Sequence, residues 1–461
     1  MIMFTSQLLY FASLFFIAYL LLYAIFSYLA IAIGAYKLYQ HDRILRIKKD
    51  LEYRHFPISI LVPAYNEEIT IISSIKSLLA IDYHPYEIVV IDDGSTDKTS
   101  QRLIDAFGME PTTRTIEHKL QCQPQDKLYE KVVNGITITL IRKKNGGKGD
   151  ALNMGINACN YPYFICMDAD SKLLRDSLKK IIQPIIEDNT VVSVGGMLLI
   201  SQCVLIDDSN ALRFRFPANL IVSLQVVEYA RSFLSSRILM DSFNGNLIIS
   251  GAFGLFNKSM VVATGGYSPN CLGEDMELVL KLHGFCRNNN IKYRMRYQPE
   301  AICMTQVPMS LKDLRAQRRR WHLGLFQSMH IHRRIMLNHN FGLVSFFSFL
   351  YYLFYELVAP FIEVFGIFTV ILAAYFGLLD VGAMVLFFSL YALYGGALSL
   401  ASFSQHMYIQ KLKISSIDML KTLFLCILEF GFFRHTLVFV RFAAFFRYGK
   451  NKRVWGKIKR V

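Results

Sequence analysis

Apolar and polar positions divide this chain into three stretches of different character. Met1 to Tyr36 carries no charged side chain, and the 29 residues from Leu8 to Tyr36 are apolar enough to cross a bilayer with some tilt. Lys37, Arg43, Arg46, Lys48 and Lys49 follow, so the positive-inside rule predicts a start outside and everything after Lys37 in the cytoplasm. The basic start and small-residue cleavage site of a signal peptide are missing, which makes this stretch an expected anchor. From 51 to about 330 the pattern changes to short apolar runs ended by turn residues. Ile58–Val62, Glu87–Ile91, Ile136–Ile141 and Tyr163–Met167 read as buried parallel strands. Between the first two, Ile71, Ile72, Ile75, Leu78 and Leu79 recur at helical spacing, which completes a βαβ unit. The polar stretch from Glu110 to Asn134 reads as a surface insertion. Long apolar runs return at Phe341–Phe376 and Gly382–Phe403. A third, Ile417–Tyr448, carries Glu429, Arg434, His435 and Arg441 and is too charged for one simple span. The basic tail, Lys450 to Arg460, belongs in the cytoplasm, so two clear spans and a bent, interfacial or re-entrant third helix are expected.

Composition sharpens this picture. With 53% hydrophobic residues in 461, the chain exceeds the apolar content of ordinary soluble domains. Its 50 Lys and Arg against 35 Asp and Glu point to anionic lipid or a phosphorylated substrate. No zinc-finger spacing or basic-aromatic repeat speaks for nucleic acid. Eight scattered cysteines without a Cys-x-x-Cys pair suggest neither a disulfide framework nor a zinc site, and fit a reduced compartment.

Chemistry concentrates at the ends of the expected strands. Asp168 and Asp170 end the Tyr163 strand one residue apart, where two carboxylates suit a divalent cation carrying a phosphate; an Asx turn is the plainer alternative. Pro63-Ala64-Tyr65-Asn66-Glu67 and Asp92-Asp93-Gly94-Ser95 end the first two strands, either to meet a nucleobase or simply to cap helices. Asn145-Gly146-Gly147-Lys148-Gly149 has the glycines and charge of a phosphate cradle without Walker spacing. Ser250–Gly254 precedes Gly273-Glu274-Asp275, an acidic pair that suits a helix dipole or a general base. In Gln317-Arg318-Arg319-Arg320-Trp321 a helix puts Gln317, Arg320 and Trp321 on one face beside Gly324, and leaves Arg318 and Arg319 for lipid headgroups.

Taken in order, PAYNE, DDGSTD, NGGKGDALN, DAD, SGAFG, GED and QRRRW resemble membrane-embedded glycosyltransferases of family 2. Hyaluronan, cellulose and bacterial poly-N-acetylglucosamine synthases belong there, and the GED-Met-Glu-Leu continuation and single amino-terminal anchor resemble the last in particular. The resemblance runs from about residue 57 to 325, with an echo in Trp455-Gly456. It implies a cytosolic GT-A (Rossmann-like) α/β domain at 51–330, between an anchor at 1–50 and transmembrane or interfacial helices at 331–461. It also implies roles. Tyr65, Glu67 and Asp93 would hold the uracil of a UDP-sugar, Lys148 the nucleotide side of the pocket, and Asp168 the nucleotide. Asp170 would coordinate Mg2+ or Mn2+. Asp275 would be the catalytic base, with Glu274 toward the acceptor. Gln317 and Arg320 would bind the diphosphate, and Trp321 would stack on the acceptor sugar. Gly273 stands where many relatives have Thr, a departure not expected to disturb the base.

The leading expectation is a processive, inverting hexosyltransferase in the bacterial plasma membrane that makes a β-linked exopolysaccharide of biofilm type. Its donor would be UDP-N-acetylglucosamine, its acceptor the growing glycan, with lipids and an accessory membrane or secretion subunit as partners. A non-processive transferase acting on a lipid or short acceptor is the alternative, and an inactive membrane scaffold the third. Glu356 and Glu363, flanking Pro360, are equally candidates for channel lining and for buried pairing.

Overall fold

The computed structural model describes residues 2–47, 56–206 and 212–447. Lys48, Lys49, the basic tail and Trp455-Gly456 lie outside the described residues.

Ten strands form the central sheet: β1 (Ile58–Ala64), β2 (Tyr86–Asp92), β3 (Glu110–Pro111), β4 (Gln125–Val133), β5 (Ile136–Lys143), β6 (Tyr163–Cys166), β7 (Lys172–Leu173), β8 (Val191–Ile200), β9 (Gly254–Asn257) and β10 (Arg294–Thr305). Their order is β3-β4-β5-β2-β1-β6-β9-β8-β10-β7. The middle four, β5-β2-β1-β6, are parallel, and β9 runs antiparallel between β6 and β8. Alternate residues of β1 face opposite layers, as a strand period of two requires. Ile58, Ile60 and Val62 pack with Ile71, Ile75 and Leu78 of α2 (Ile71–Leu79), while Leu61 joins the layer of α4 and α5 described next. After α3 (Thr99–Phe107), helices α4 (Lys148–Ala158) and α5 (Glu274–Asn288) cover this second face through Leu152, Met154, Leu278 and Leu282. Gly155 lets α4 approach closely, since a Cβ there would come within 2.9 Å of Ile91.

The Glu110–Asn134 stretch is not an insertion. It supplies β3 and β4, which extend the sheet at its edge, and Ile116 and Leu120 pack on the α4 layer. β4 escaped detection because an edge strand half in water carries few apolar residues.

α6 (Leu311–Ile331) leads out of the sheet unit. Two π-helical segments, Val344–Phe349 and Tyr352–Leu357, then bend by 46° into α7 (Ala359–Tyr375), with Pro360 at its start, where a proline is tolerated. α8 (Val381–Ile409) and the amino-terminal helix α1 (Ile2–Ile47) pack against each other: Tyr394 donates to the Ala24 carbonyl at 2.8 Å and Gln405 to that of Ile31 at 2.9 Å. α1, α8 and Ser416–Ala444 (α9) are each long and apolar enough to cross a membrane. α9, however, touches the sheet unit at both ends. Ile414, just before it, pairs with Phe214; Leu425 and Leu437 share a core with Val222 and Leu314; Ala444 packs with Leu272 and Leu323. A helix of about 43 Å with both ends on one body lies along that body. The charged third run thus qualifies as a span by length and composition yet packs along the sheet unit, and Glu429 sits in a π-helical turn at its middle.

Candidate active site

Strand order reverses between β1 and β6, so the crevice at their carboxyl ends is where an open α/β sheet takes a ligand. Ala64 lies beside Asp92 across β1 and β2, and the Met167 N–H donates to the Leu61 carbonyl at 3.0 Å, which brings Tyr65, Asp93 and Asp168 to one edge. Tyr65 is exposed there. Glu67 is buried: its Oε2 accepts from the Thr70 hydroxyl at 2.7 Å, while its N–H donates to Thr99 Oγ1 at 2.9 Å. Asn66, in the left-handed region at φ 56°, accepts from the Thr96 N–H at 2.8 Å and ties the two loops together.

Asp93 is the centre of a buried charge cluster. Its Oδ1 accepts from Lys143 Nζ at 2.5 Å and from the Gly146 N–H at 3.0 Å, and its Oδ2 accepts from the Gly147 N–H at 2.8 Å. Lys143, with a fully buried side chain, also meets Asp150 Oδ1 at 2.6 Å. Burial raises the Asp93 pKa above the usual carboxylate range, against the opposing pull of Lys143 and the two N–H groups. The carboxylate thus shapes the glycine loop, and Glu67 shapes the turn that follows Tyr65. Sequence reading missed Lys143 and Asp150, because charged residues beside a glycine loop look solvated.

The glycine loop swings Lys148 into the crevice. Its Nζ lies 2.6 Å from Asp168 Oδ1 and 3.5 Å from Glu274 Oε1, joining the end of β6 to the start of α5. Burial works against its charge, but Asp168 and Glu274 outweigh that and raise the ammonium pKa. Lys148 therefore stands between the carboxylate groups. Burial, reinforced by Asp275 and opposed by Lys148 and Arg320, pushes Glu274 up to about 7. Asp275 is half-buried; its Oδ2 accepts from the Gly251 N–H at 3.2 Å and its Oδ1 from the Met276 N–H at 2.8 Å. Gly251 belongs to the site, since a Cβ there would stand 3.0 Å from Lys148 Nζ. Asp168 and Asp170 are both partly exposed at the β6 turn. Among the described residues no group of three or more His, Cys, Asp or Glu side chains could enclose a metal. Two carboxylates suit Mg2+ or Mn2+ only where a ligand's phosphates complete the coordination.

α6 closes the crevice. Gly324 packs backbone to backbone on Gly273: a Cβ on Gly324 would come within 2.7 Å of the Gly273 nitrogen, and one on Gly273 within 2.9 Å of Gly324. The Gly273 departure is thus half of a glycine-on-glycine crossing that sets where Arg320 faces Glu274. Gln317 lies on the same face, and Trp321 is 38% exposed. Arg318 does not reach headgroups. It is buried, meets Glu228 Oε2 at 2.5 Å and lies 4.4 Å over the Trp321 ring; Arg319 likewise buries its Nε and one Nη.

Beyond Trp321 a cavity of about 580 Å3 opens between α1, the 220–241 helix, the 344–357 segment, α8 and α9. Six tyrosines, five arginines and three glutamates contribute to its lining. Glu356 is among them and meets Arg441 at 3.8 Å, whereas Glu363 is paired with Arg434 at 3.4 Å outside that lining. Both glutamates are ion-paired, and Glu356 also faces the cavity.

Comparison with known proteins gives the family and the fold. Residues 163–403, just over half of the chain, match the glycosyl transferase family group 2 model, and residues 59–119 match glycosyl transferase family 2. A poly-beta-1,6-N-acetyl-D-glucosamine synthase of Staphylococcus aureus is 29% identical over 316 residues, 67% of this chain and 65% of the relative. One from Staphylococcus epidermidis is 28% identical over 268 residues, 58% of this chain and 54% of the relative. The chain therefore spans about 65% or less of the length of these relatives. A mannosyltransferase from Pyrobaculum calidifontis, solved in complex with GDP-Man and Mn2+, shares the fold with a TM-score of 0.51 at 19% identity, over 89% of this chain and 99% of that one. With a GT-A-like sheet, carboxylates gathered at its switch point and a family match over more than half its length, this chain belongs to the family 2 glycosyltransferases.

Proposed function

We propose that this protein is a membrane-embedded, inverting hexosyltransferase that extends a β-linked, N-acetylglucosamine-type glycan from a UDP-sugar and leads the product toward the membrane. The observation that carries this reading is the meeting of Lys148 with Asp168 at 2.6 Å and Glu274 at 3.5 Å, with Asp275 next to them on the Gly251 N–H at 3.2 Å, beneath a helix that presents Arg320 and Trp321. Asp275, steadied by two backbone N–H groups, takes the proton of the acceptor hydroxyl. The resulting oxygen attacks the anomeric carbon from the side opposite the diphosphate, the new glycosidic bond forms as the old one breaks, and UDP leaves with inversion. Arg320, Gln317 and Lys148 face the charge that grows on the leaving group. A cation held by Asp170 and Asp168 would supply Lewis-acid neutralisation of the diphosphate. Tyr65 packs on the base, with Asp93 and Glu67 as the buried support of that pocket. Trp321 offers the acceptor ring a stacking face.

The charge pattern supports a cytoplasmic catalytic unit, assigned to 51–330 between the anchor and the carboxyl-terminal helices. α1, α7 and α8 as three spans, with α9 on the surface, leave the sheet unit and the basic tail on one side, opposite the start. The cavity beyond Trp321 favours a growing chain over a single addition to a lipid. Its tyrosines and arginines, set among aliphatic side chains, suit the stacking faces and hydroxyls of sugar rings.

Purified full-length protein in nanodiscs is expected to release UDP from UDP-N-acetylglucosamine only with Mg2+ or Mn2+, and to yield polymeric product. Asp275→Asn should lower transfer by about 10³-fold or more while UDP still binds. Absence of metal-dependent release from every UDP-sugar tried would contradict the enzyme reading; a product one sugar longer than its acceptor would replace the polymerase with the single-addition alternative.

A further inference from the structure

Glu277 takes no part in the transfer chemistry, yet it is the most deeply buried of the three acids in the first turn of α5, at 1% exposure. Glu274 and Asp275 already complement the helix dipole at that end, so a third acid there needs another reason. Its partners supply one. Glu277 Oε1 lies 3.1 Å from Nε2 of His332, just past the end of α6, and its Oε2 lies 3.3 Å from Lys281 Nζ, one turn further along α5. Lys281 in turn donates to the Gly266 carbonyl at 2.7 Å and to Ser268 Oγ at 3.0 Å. Burial works against the charge of Glu277, but His332, Lys281 and Ser268 outweigh it and hold its pKa below the usual carboxylate range.

The pairing with His332 ends a row of contacts between the two helices. Gly324, Gln327, Ser328 and His332 are spaced three and four apart, so they share one face of α6. Gln327 Oε1 accepts from the Leu272 N–H at 2.8 Å. Ser328 Oγ donates at 3.1 Å to the Gly273 carbonyl, which also accepts the Glu277 N–H at 2.9 Å. The turn that carries Glu274 and Asp275 is thus tied to α6 on both sides, at Leu272 and Gly273 before it and at Glu277 after it. The helix that presents Arg320 therefore also holds the base. Stability alone does not call for a buried charge at such a contact, since hydrocarbon of equal volume is often as stable. Hydrogen bonds differ from hydrocarbon packing in having direction, and these admit one rotation of α5 about its axis. That rotation decides where the Asp275 carboxylate points, and a misplacement of about 1 Å at a reacting group costs about a hundredfold in rate.

We propose that Glu277, with His332 and Ser328, is a positioning residue for Asp275: the clamp fixes the rotation of α5 and so aims the base relative to Arg320. The inference rests on the transferase reading above, in which Asp275 takes the acceptor proton. The test is UDP release from UDP-N-acetylglucosamine by the full chain in nanodiscs. The double variant Glu277→Leu with His332→Leu removes both partners together, and Lys281, 22% exposed, keeps its bonds to Gly266 and Ser268. Ser328→Ala removes one hydroxyl, and Glu277→Gln keeps the shape and a hydrogen bond to His332. The double variant is expected to lower kcat about a hundredfold and Ser328→Ala about tenfold, with Tm and the donor KM near wild type. Glu277→Gln should stay within about fivefold of wild type. In an Asp275→Asn background the double variant should cost no further rate, because no base is left to aim. Wild-type kcat in the double variant, or a loss that multiplies with that of Asp275→Asn, would overturn the positioning role and leave the transferase reading standing. So would a lowered Tm in the double variant together with wild-type kcat in Ser328→Ala, which would make the clamp a stabiliser only. A wild-type protein that releases no UDP from any UDP-sugar would overturn both.

Discussion

Glu274 and Asp275 are neighbours in the chain with different surroundings. Glu274 is 5% exposed beside Lys148, whereas Asp275 opens to the crevice. With Glu274 pushed up to about 7, the pair gains a negative charge as pH rises through neutrality, which strengthens Asp275 as a base. Transfer rate should therefore rise with a limb near pH 7, and Glu274→Gln should remove that limb in a pH–rate profile. The stability sign is opposite. A carboxyl raised above its unfolded value binds more protons when folded, so this contribution is lost as pH climbs from about 4.5 to about 7. His283 behaves in the other sense. Burial holds it at about 4, with its ring between the Tyr293 hydroxyl at 2.7 Å and the Asn246 carbonyl at 3.0 Å. The unfolded chain takes up that proton first on acidification. About 3 kcal/mol of stability is expected to drain away between pH 6.5 and 4, read as a falling Tm. Lys143→Met should cost about 3–5 kcal/mol in a denaturation curve, since it strands Asp93 and Asp150 in the interior. None of these surroundings could be read from residue type. Lys148 was recognisable from its glycines, but Lys143 was not, because the carboxylates that hold it lie just after β2 and on α4.

Among elements, β1, β2, β5 and β6 were legible because strands buried on both faces must be apolar throughout. β4 was not, since its residues are mostly half in water. The face of α6 that carries Gln317, Arg320, Trp321 and Gly324 followed from helical spacing alone, but the partner of Gly324 did not. A contact between two glycine backbones leaves no periodic signal. Gly324→Ala should push α6 away from α5 at a cost of about 1–3 kcal/mol. Because Arg320 moves with it, transfer should fall by about a hundredfold while UDP-sugar binding changes far less, measured as separate kcat and KM values. Full activity in Gly324→Ala would show that this crossing does not set the Arg320 position.

For the whole molecule, the orientation of α9 is the decisive feature. With three spans, cysteines introduced at Ile417 and Phe446 should react with a membrane-impermeant maleimide from the same side, and one at Leu378, between α7 and α8, from the other. Reaction of positions 417 and 446 from opposite sides would make α9 a span and move the tail across the membrane. Local chemistry determined much from the sequence by itself: which runs tolerate lipid, which strands are buried, and that carboxylates end them. Those properties depend on neighbours a few residues away. Only the tertiary structure decided which charges neutralise one another, because Glu228 and Arg318 are 90 residues apart and Arg231 and Glu429 198 apart. Coulomb attraction depends on distance in space, and folding alone brings such residues within reach.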